Sequence, residues 1–394
     1  MSVSPPTTWT EPTPSPLLLL LGEGTEAETE RGVECPGVLP RASDPGLLAR
    51  ARMAKAELGD RVFVLGHHYQ RDEVIQFADV TGDSFKLARE AAARSESEYI
   101  VFCGVHFMAE SADILTGDHQ QVVLPDLAAG CSMADMATLA EVEAAWSAIA
   151  AAGLEQSTIP LTYMNSSAAI KSFTGRHGGS ICTSSNARRS LEWAFDQADR
   201  VLFLPDQHLG RNTAVLQMGL SPADCVVFDP RKPGGGVSRD ALRQAKLILW
   251  RGHCSVHARF TVDRVQKIRR QVPDVTVIVH PECAYEVAAN ADFIGSTENI
   301  IKAVNAAPAG AALAIGTELN LVRRLATQHP DKRVMFLDSS VCFCSTMNRI
   351  DLPHLTWALE SLVEGRVVNR ISVNAETARW STVALERMLA LPGS

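Results

Sequence analysis

The sequence alternates between short apolar runs and longer stretches that have the residue spacing of a helix. The runs are continuously apolar instead of alternating in polarity, which is typical of strands buried on both faces of a parallel sheet. Helical patterns lie between them, as in residues 84–93, 136–151 and 262–271. This repetition of strand, loop and helix predicts an α/β fold. The runs interpreted as strands are residues 62–65, 100–103, 122–124, 159–163, 180–183, 201–204, 225–228, 247–250, 275–279, 293–295, 313–315 and 334–337.

The predicted strands form three groups, which divide near residues 129 and 251. We therefore predict three similar three-layer αβα domains with small parallel sheets, over residues 46–129, 130–251 and 252–345. The length of 394 residues fits two to three domains at ~150 residues each. Residues 346–394 are predicted to be a C-terminal helical segment that packs back on the first domain.

Residues 1–45 differ in composition from the rest of the chain. They contain eight of the 20 prolines and seven acidic residues, but only two basic residues, Arg31 and Arg41. Such a segment buries too little apolar surface to offset the entropy lost on ordering. We therefore predict a disordered, proline-rich acidic tail.

The charge and hydropathy of the chain exclude several function classes. The net charge of -8 argues against a general nucleic-acid or anionic-membrane binder, because phosphate groups attract basic surfaces. The longest apolar run, Leu17 to Leu21, has no basic residue before it and is far shorter than the ~20 residues of a membrane span. We therefore expect a cytoplasmic protein whose nine cysteines stay reduced.

Polar residues follow nearly every predicted strand at once. Because ligands bind at the carboxyl ends of strands in open parallel sheets, these segments indicate one shared site. The alternative is that they cap the following helices, but capping does not require His, Tyr or Cys. Residues 183–186 and 296–297 precede predicted helices, whose N-termini suit a phosphate or carboxylate. The polar segments are residues 66–70, 163–165, 183–186, 205–208, 252–257, 280–283, 295–297 and 342–344.

Three cysteines lie in loops beside Gly or Ser, one in each predicted domain: Cys131, Cys254 and Cys344. The sequence has no paired Cys-x-x-Cys sets for a zinc ribbon and no ferredoxin-like spacing. Three distant thiolates that converge would suit an iron–sulfur cluster with one open iron. The competing interpretation is that buried cysteines are apolar fillers, which we apply to Cys103, Cys182 and Cys225; Cys35, in the tail, is given no role.

Ten motifs follow one another in order between residues 60 and 350. They are Gly66-His67-His68-Tyr69-Gln70, Gly82-Asp83-Ser84, the Cys131 loop, Tyr163-Met164-Asn165, Cys182-Thr183-Ser184-Ser185-Asn186, Pro205-Asp206, Gly252-His253-Cys254, His280-Pro281-Glu282-Cys283, Gly295-Ser296-Thr297 and Cys344-Ser345-Thr346-Met347-Asn348. Together they make the chain resemble the quinolinate synthase family in its long form. One departure is His68, because the family usually has Asn there; we interpret His68 as a spectator.

The resemblance implies three α/β domains around a pseudo-threefold axis and one [4Fe–4S] cluster per chain. Its implied ligands are Cys131, Cys254 and Cys344, with one open iron acting as a Lewis acid. The family's long form has a cysteine pair at Cys342 and Cys344, of which we assign the second as the ligand.

The implied reaction, in NAD biosynthesis, condenses iminoaspartate with dihydroxyacetone phosphate and releases phosphate, two waters and quinolinate. It implies a functional link to L-aspartate oxidase as the source of iminoaspartate. Glu282, with Tyr69 or His280, is the predicted acid–base group, because imine, enamine and keto forms interconvert by proton transfer. The predicted substrate-binding residues are His67, Ser84, Tyr163, Met164, Asn165, Ser184, His280, Pro281, Glu282 and Thr297.

Three other functions remain open at this point. An iron–sulfur hydro-lyase acting on a hydroxy acid would share the three cysteines but would need no phosphate site. A redox sensor would close the cluster with a fourth protein ligand, such as Cys342 or Cys283. A zinc hydrolase would use His67, His68 and Glu282.

Overall fold

The computed structural model describes residues 39–338 and 343–391. The described strands are β1 (Val62–His67), β2 (Val80–Gly82), β3 (Tyr99–Cys103), β4 (Gln121–Val123), β5 (Thr158–Tyr163), β6 (Ser180–Cys182), β7 (Arg200–Leu204), β8 (Cys225–Phe228), β9 (Leu247–Trp250), β10 (Thr276–Val279), β11 (Phe293–Ile294), β12 (Ala312–Gly316), β13 (Arg333–Phe336) and β14 (Arg370–Ile371).

The α-helices lie mostly between consecutive strands, as the alternating sequence pattern predicts. They are α1 (Leu47–Leu58), α2 (Asp72–Ile75), α3 (Ser84–Ala93), α4 (His106–Leu115), α5 (Ser132–Asp135), α6 (Leu139–Ala151), α7 (Ala168–Arg176), α8 (Ala187–Gln197), α9 (Gln207–Arg211), α10 (Arg239–Gln244), α11 (Val262–Gln271), α12 (Tyr285–Ala288), α13 (Thr297–Ala306), α14 (Leu319–Gln328), α15 (Leu352–Val363) and α16 (Ala375–Leu389).

The strands form three small sheets flanked by helices. The first has the order β14-β4-β3-β1-β2, the second β6-β5-β7-β9-β8 and the third β11-β10-β12-β13. Within the described residues, all strand pairings are parallel except that of β14 with β4. These sheets confirm the predicted α/β class with three similar αβα units. The exact domain boundaries stay a prediction.

The continuous apolar runs explain where the strands lie. Every residue of β1, β3, β5 and β9 is buried, as expected for strands covered on both faces. All twelve predicted strands are present, although their ends shift by a residue or two. The sequence did not reveal β2 or β14, because runs of three and two residues are too short to show a period.

One predicted helix begins later than its pattern suggested. The apolar spacing predicted residues 136–151, but α6 begins at Leu139 because Thr138 caps it. The Thr138 side chain accepts from the Glu141 backbone N–H, and the Glu141 carboxylate accepts from the Thr138 N–H in return. This capping box fixes the helix start. The predictions for residues 84–93 and 262–271 are confirmed without change.

The C-terminal helices contact two different parts of the molecule. Helix α15 packs on α1, where the Arg50 guanidinium donates to both carboxylate oxygens of Glu360 at 2.8 and 2.7 Å. Helix α16 packs on α7 and β6. There a Cβ on Gly175 would lie 2.0 Å from the Trp380 carbonyl oxygen, so only glycine permits this close approach.

Several predictions lie outside the described residues. Residues 1–38, which contain most of the predicted tail and Cys35, are among them, as are residues 339–342 with Cys342. In the described part of the chain, none of the helices combines the length and apolar character that a membrane crossing requires.

Candidate active site

Strands of all three sheets have their carboxyl ends close together, and side chains from the loops that follow these strands contact one another there. The Tyr163 hydroxyl, at the end of β5, donates to Glu282 Oε1 beyond β10 at 2.7 Å. The Tyr69 hydroxyl, beyond β1, lies 2.9 Å from Thr297 Oγ1. We call this place the junction. It forms because parallel strands direct their following loops to one edge of each sheet.

Glu282 lies at the centre of the junction and is only 3% exposed. His257 Nδ1 lies 2.8 Å from Glu282 Oε2, and His280 Nδ1 lies 3.8 Å from Oε1. Burial acts to raise the pKa of Glu282, but the His280 and His257 rings and the Tyr163 hydroxyl outweigh it and hold the pKa below its usual range. Glu282 is therefore a carboxylate near neutral pH.

Two histidines of the junction, His67 and His280, are buried and neutral. The rings of His257 and His280 stack with centroids 4.6 Å apart and planes at 21°. Burial lowers the pKa of His280 to about 3. Burial, together with the neighbouring His68, likewise lowers the pKa of His67 to about 3. A neutral imidazole has one donor and one acceptor nitrogen, so each ring can orient a substrate without adding charge.

Two tyrosines and a threonine complete a connected path around Glu282. Thr317 Oγ1 lies 2.9 Å from the Tyr69 hydroxyl and 3.2 Å from His257 Nε2. The path thus runs from Tyr69 through Thr317, His257 and Glu282 to Tyr163. Burial and the charge of Glu282 raise the pKa of both tyrosines well above the usual value. Both phenols therefore keep their protons.

Buried polar side chains hold the loops that carry these groups. Asn212 Nδ2 donates to the carbonyl oxygens of Pro281 and Cys283 at 2.8 and 2.7 Å, which fixes the Glu282 loop. Arg324, on α14, donates to the carbonyl oxygens of His68 and Gln70 at 2.8 and 2.6 Å. The loop containing Tyr69 is thereby tied to the third sheet.

Two other predicted binding residues lie beside the path. Ser184 hydrogen bonds to Tyr163, and Pro281 is buried in the Glu282 loop. Ser84 is the buried first residue of α3, and the Met164 sulfur accepts from the Ser111 hydroxyl at 3.6 Å. Among the described contacts, none joins Ser84, Met164 or Asn165 to the path.

Sequence reasoning missed Thr317 and Asn212, which the structure places in or beside the path, and it included His257 in the polar segment 252–257 without giving it a role. His257 lies in the loop after β9, and Thr317 directly follows β12. Position after a strand was thus an available signal for both. Asn212 lies within a π-helical turn, Asn212–Gln217, and no local pattern distinguishes it.

The three predicted ligand cysteines interact with one another. The charge of Cys131 and Cys344 acts on Cys254 and raises its pKa, after the larger effects of burial and Glu282. Burial chiefly raises the pKa of Cys131 to about 12, with Cys344 adding to the shift. Three neighbouring, half-buried thiols resist ionising together unless a cation compensates their charge. This donor set therefore fits a thiolate-bound metal centre.

A second arrangement of possible ligands overlaps this one. Ligand atoms of Cys254, His257 and Glu282 all lie within 4.8 Å of one another. Among the described residues, His67, His68 and Glu282 do not form such a group; His68 Nε2 instead lies 2.8 Å from Glu298 Oε1. The arrangement gives no support to the zinc site considered from the sequence.

Cys283 is separated from the three cysteines in its packing. It belongs to the core of the third sheet, and its sulfur lies 3.7 Å from the Gly316 carbonyl oxygen. Cys131, Cys254 and Cys344 pack instead against the core built on the first and second sheets. Cys283 is therefore a poor candidate for a fourth ligand.

Comparison with known proteins identifies the family. The model of the quinolinate synthetase A protein family, NadA, matches residues 50–390. This chain belongs to that family.

Its relatives are enzymes of high similarity over nearly the full length. A quinolinate synthase from Nocardioides sp. is 69% identical over 382 residues, covering 95% of this chain and 97% of the relative. The quinolinate synthase of Streptomyces coelicolor is 68% identical over 96% of this chain and 97% of the relative. The quinolinate synthase of Corynebacterium glutamicum is 56% identical over 93% of this chain and 92% of the relative. The resemblance inferred from the motifs is confirmed, and the chain is a member of an enzyme family.

Proposed function

We propose that this protein is a quinolinate synthase that condenses iminoaspartate with dihydroxyacetone phosphate, releasing quinolinate, phosphate and two waters in NAD biosynthesis. The observation that carries the proposal is the junction itself. It combines a buried carboxylate, two protonated phenols and neutral imidazoles with three converging thiols. Family membership supports the same reaction.

We propose that Cys131, Cys254 and Cys344 hold one [4Fe–4S] cluster. The three thiols interact with one another, and Cys283 lies in a different core. A cluster with three protein ligands leaves one iron open, and when bound it supplies a Lewis acid for substrate oxygens. Glu282 is close enough to Cys254 for its charge to raise the pKa of that thiol, so reacting groups of the protein lie beside the ligand set.

Glu282 and the two phenols provide sites for protons at fixed atoms. The Glu282 carboxylate can accept a proton from a substrate carbon or nitrogen, and the Tyr163 hydroxyl already donates to it at 2.7 Å. Tyr69 is held by Thr297 and Thr317 at 2.9 Å each, so its proton is positioned to be donated. His280, neutral and packed against His257, can orient a substrate carbonyl or carboxylate.

Anionic parts of the substrates would bind at helix N-termini. Thr297 is the first residue of α13, Ser84 is the first residue of α3, and Ser184 precedes α8. The N–H groups at such positions favour phosphate and carboxylate. We assign His67, Met164, Asn165 and Pro281 to the surrounding substrate contacts. Neutral donors of this kind allow a protein with a net charge of -8 to bind anions.

The proposal includes a cytoplasmic location and a functional link to L-aspartate oxidase. An open iron is sensitive to oxidants, so a reducing compartment would preserve it. Iminoaspartate hydrolyses readily, so an enzyme that generates it nearby would sustain turnover. Adding L-aspartate oxidase and aspartate to the purified protein should therefore support quinolinate formation.

An anaerobic product assay tests the reaction. The protein is reconstituted with iron and sulfide and supplied with dihydroxyacetone phosphate and iminoaspartate generated in place; quinolinate and phosphate are then quantified. We expect both products in equal amounts from the wild type, and none from Cys254→Ser. An intact cluster with no quinolinate would contradict the proposal. Dehydration of a hydroxy acid without phosphate release would favour a hydro-lyase, and a cluster without any turnover would favour a redox sensor.

A further inference from the structure

An ion pair joins the segments that carry two of the three proposed ligand cysteines. Arg349 Nε donates to Asp126 Oδ2 at 2.9 Å. Asp126 lies in the loop between β4 and Cys131, and Arg349 ends the short 3₁₀ turn that follows Cys344. The two residues are 223 positions apart, so their contact connects the carboxyl edge of the first sheet with the segment that follows the third sheet. We call this ion pair the clasp.

The acceptor of the clasp is a buried carboxylate. Asp126 is only 2% exposed, whereas the Arg349 side chain is about half exposed. A buried carboxylate is costly unless hydrogen bonds and an opposite charge compensate it. Asp126 Oδ1 accepts from the Ala128 backbone N–H at 2.9 Å, and Oδ2 has Arg349 in direct contact, with His354 Nε2 further away at 3.7 Å. The clasp therefore differs from a pair of exposed charges, which contributes little.

Backbone hydrogen bonds connect Asp126 to the first ligand. The Asp126 carbonyl oxygen accepts from the Ala129 N–H at 3.0 Å. The Ala129 carbonyl oxygen in turn accepts from the N–H of His106, the first residue of α4, at 2.8 Å. These bonds fix the shape of the loop, so the position of Asp126 determines where the chain enters Cys131.

The turn after Cys344 is held in a similar way. The Cys344 carbonyl oxygen accepts from the Asn348 N–H at 3.0 Å, and the Thr346 carbonyl oxygen accepts from the Arg349 N–H at 3.2 Å. Arg71, in the loop after β1, donates to the Asn348 carbonyl oxygen at 2.8 Å. Arg349 is thus one closed turn away from the ligand, and its ion pair limits how far the two ligand segments can separate.

We propose that Asp126 and Arg349 are positioning residues for the metal centre: the clasp holds the segments of Cys131 and Cys344 together, so that both thiolates reach one cluster. The inference rests on the proposed function, because it requires a cluster bound by these cysteines. Ligands that are held in place before binding lose less conformational entropy when the metal centre forms, and the complex is correspondingly tighter.

The test measures how well the protein retains its iron. Arg349→Met removes the charge and the Nε donor but keeps an unbranched aliphatic side chain. In the reconstituted protein we expect iron loss to an anaerobic chelator to be about tenfold faster, as for other groups beyond the ligands themselves. Arg61→Met is the matched control, since Arg61 Nε donates to Glu98 at the same 2.9 Å but both residues directly precede strands, at the opposite edge of the first sheet. It should lose iron at the wild-type rate.

A second variant and a spectroscopic measurement separate positioning from a general loss of stability. Asp126→Asn keeps the acceptor for the Ala128 N–H but removes the charge, so it should lose iron as fast as Arg349→Met. The electron paramagnetic resonance spectrum of the reduced cluster should show shifted g values in both variants and not in Arg61→Met, because only the clasp alters the ligand geometry.

Three results would overturn the inference. Iron loss at the wild-type rate in Arg349→Met and Asp126→Asn would show that the clasp does not hold the ligands. Faster iron loss with a wild-type spectrum would show general destabilisation instead of positioning. A wild-type protein that binds no cluster would overturn the cofactor proposal together with this inference, which distinguishes the failure of the two.

Discussion

The junction and the contact between α7 and α16, which we call the seam, both join segments that are far apart in sequence. They do so with different chemistry. At the seam, backbones approach closely at Gly175, and Ser381 Oγ donates to the Ala168 carbonyl oxygen at 3.0 Å. At the junction, buried acids, phenols and imidazoles contact one another across all three sheets. Close backbone packing contributes stability, whereas buried polar groups cost stability unless they are fully partnered.

This difference teaches where function lies in the molecule. The seam could be built from any residues that fit its shape. The junction, by contrast, keeps Glu282 ionised and two tyrosines protonated within one dry site. Such opposed protonation states are typical of acid–base sites. Substitutions at the junction should therefore reduce activity more than stability, and substitutions at the seam should do the reverse.

The largest effect is expected from the cysteines of the junction. Replacing Cys131, Cys254 or Cys344 by Ser should remove nearly all cluster-bound iron and lower activity by more than about 100-fold, since even outer-shell changes cost up to that much. Iron and sulfide analysis after anaerobic reconstitution measures the loss. Cys225→Ser is the control, because Cys225 is the first residue of β8 and so lies at the opposite end of its strand from the loops that follow the strands; equal iron loss there would contradict the assignment.

The next effect concerns a single hydroxyl group of the junction. Tyr163→Phe removes the donor to Glu282, and we expect kcat to fall by on the order of 100-fold, with little change in unfolding free energy. Steady-state kinetics and denaturant unfolding measure the two quantities. Tyr99→Phe removes a hydroxyl that accepts from Arg61 and should leave kcat unchanged. A normal kcat in Tyr163→Phe would contradict the claim that substitutions at the junction reduce activity more than stability.

The seam should show the opposite behaviour. Gly175→Ala places a Cβ against the Trp380 carbonyl oxygen, and we expect it to lower the unfolding free energy by about 3 kcal/mol through overpacking. Activity per folded molecule should be retained. Arg176→Ala, which removes an exposed ion pair with Glu376, should cost less than about 1 kcal/mol. Urea unfolding of both variants checks the order of the two effects.

The smallest effect concerns pH and the buried histidines. The pKa of His67 is about 3 in the folded protein, against about 6.5 when unfolded. The unfolded chain therefore binds more protons between these two pKa values. The contribution of His67 to the free energy of unfolding is fully present above pH 6.5 and is lost as the pH falls towards 3. Each such histidine contributes a slope of about 1.4 kcal/mol per pH unit. In cluster-free protein, His67→Asn should reduce the slope of the free energy of unfolding against pH by the amount that one proton contributes, about 1.4 kcal/mol per pH unit. An unchanged slope would contradict the burial argument.

Much of the fold could be predicted from the sequence because it is encoded locally. Continuous apolar runs identify buried strands, and the polar residues that follow them mark the shared edge. The start of α6 could not be read from apolar spacing, because the Thr138–Glu141 capping box determines it. β14 depends on pairing with β4, more than 240 residues away, and only the folded chain brings the two together.

Site residues could be predicted where their residue type is unusual in a loop. They were missed where their residue type is common in loops. Histidine, tyrosine and cysteine after strands marked the segments that contain Tyr69, Tyr163, Glu282 and the three cysteines, and the family resemblance implied their roles. Thr317 and Asn212 were missed because threonine and asparagine occur in many loops for capping alone.

The central claim is that three sheets bring an open iron and the Glu282 network to one centre, and Mössbauer spectroscopy tests it most directly. The protein is reconstituted anaerobically with ⁵⁷Fe, and spectra are recorded with and without quinolinate. We predict a [4Fe–4S] cluster with one iron distinct from the other three, whose signal alone shifts when quinolinate is added. Four equivalent irons that do not respond to quinolinate would contradict the account.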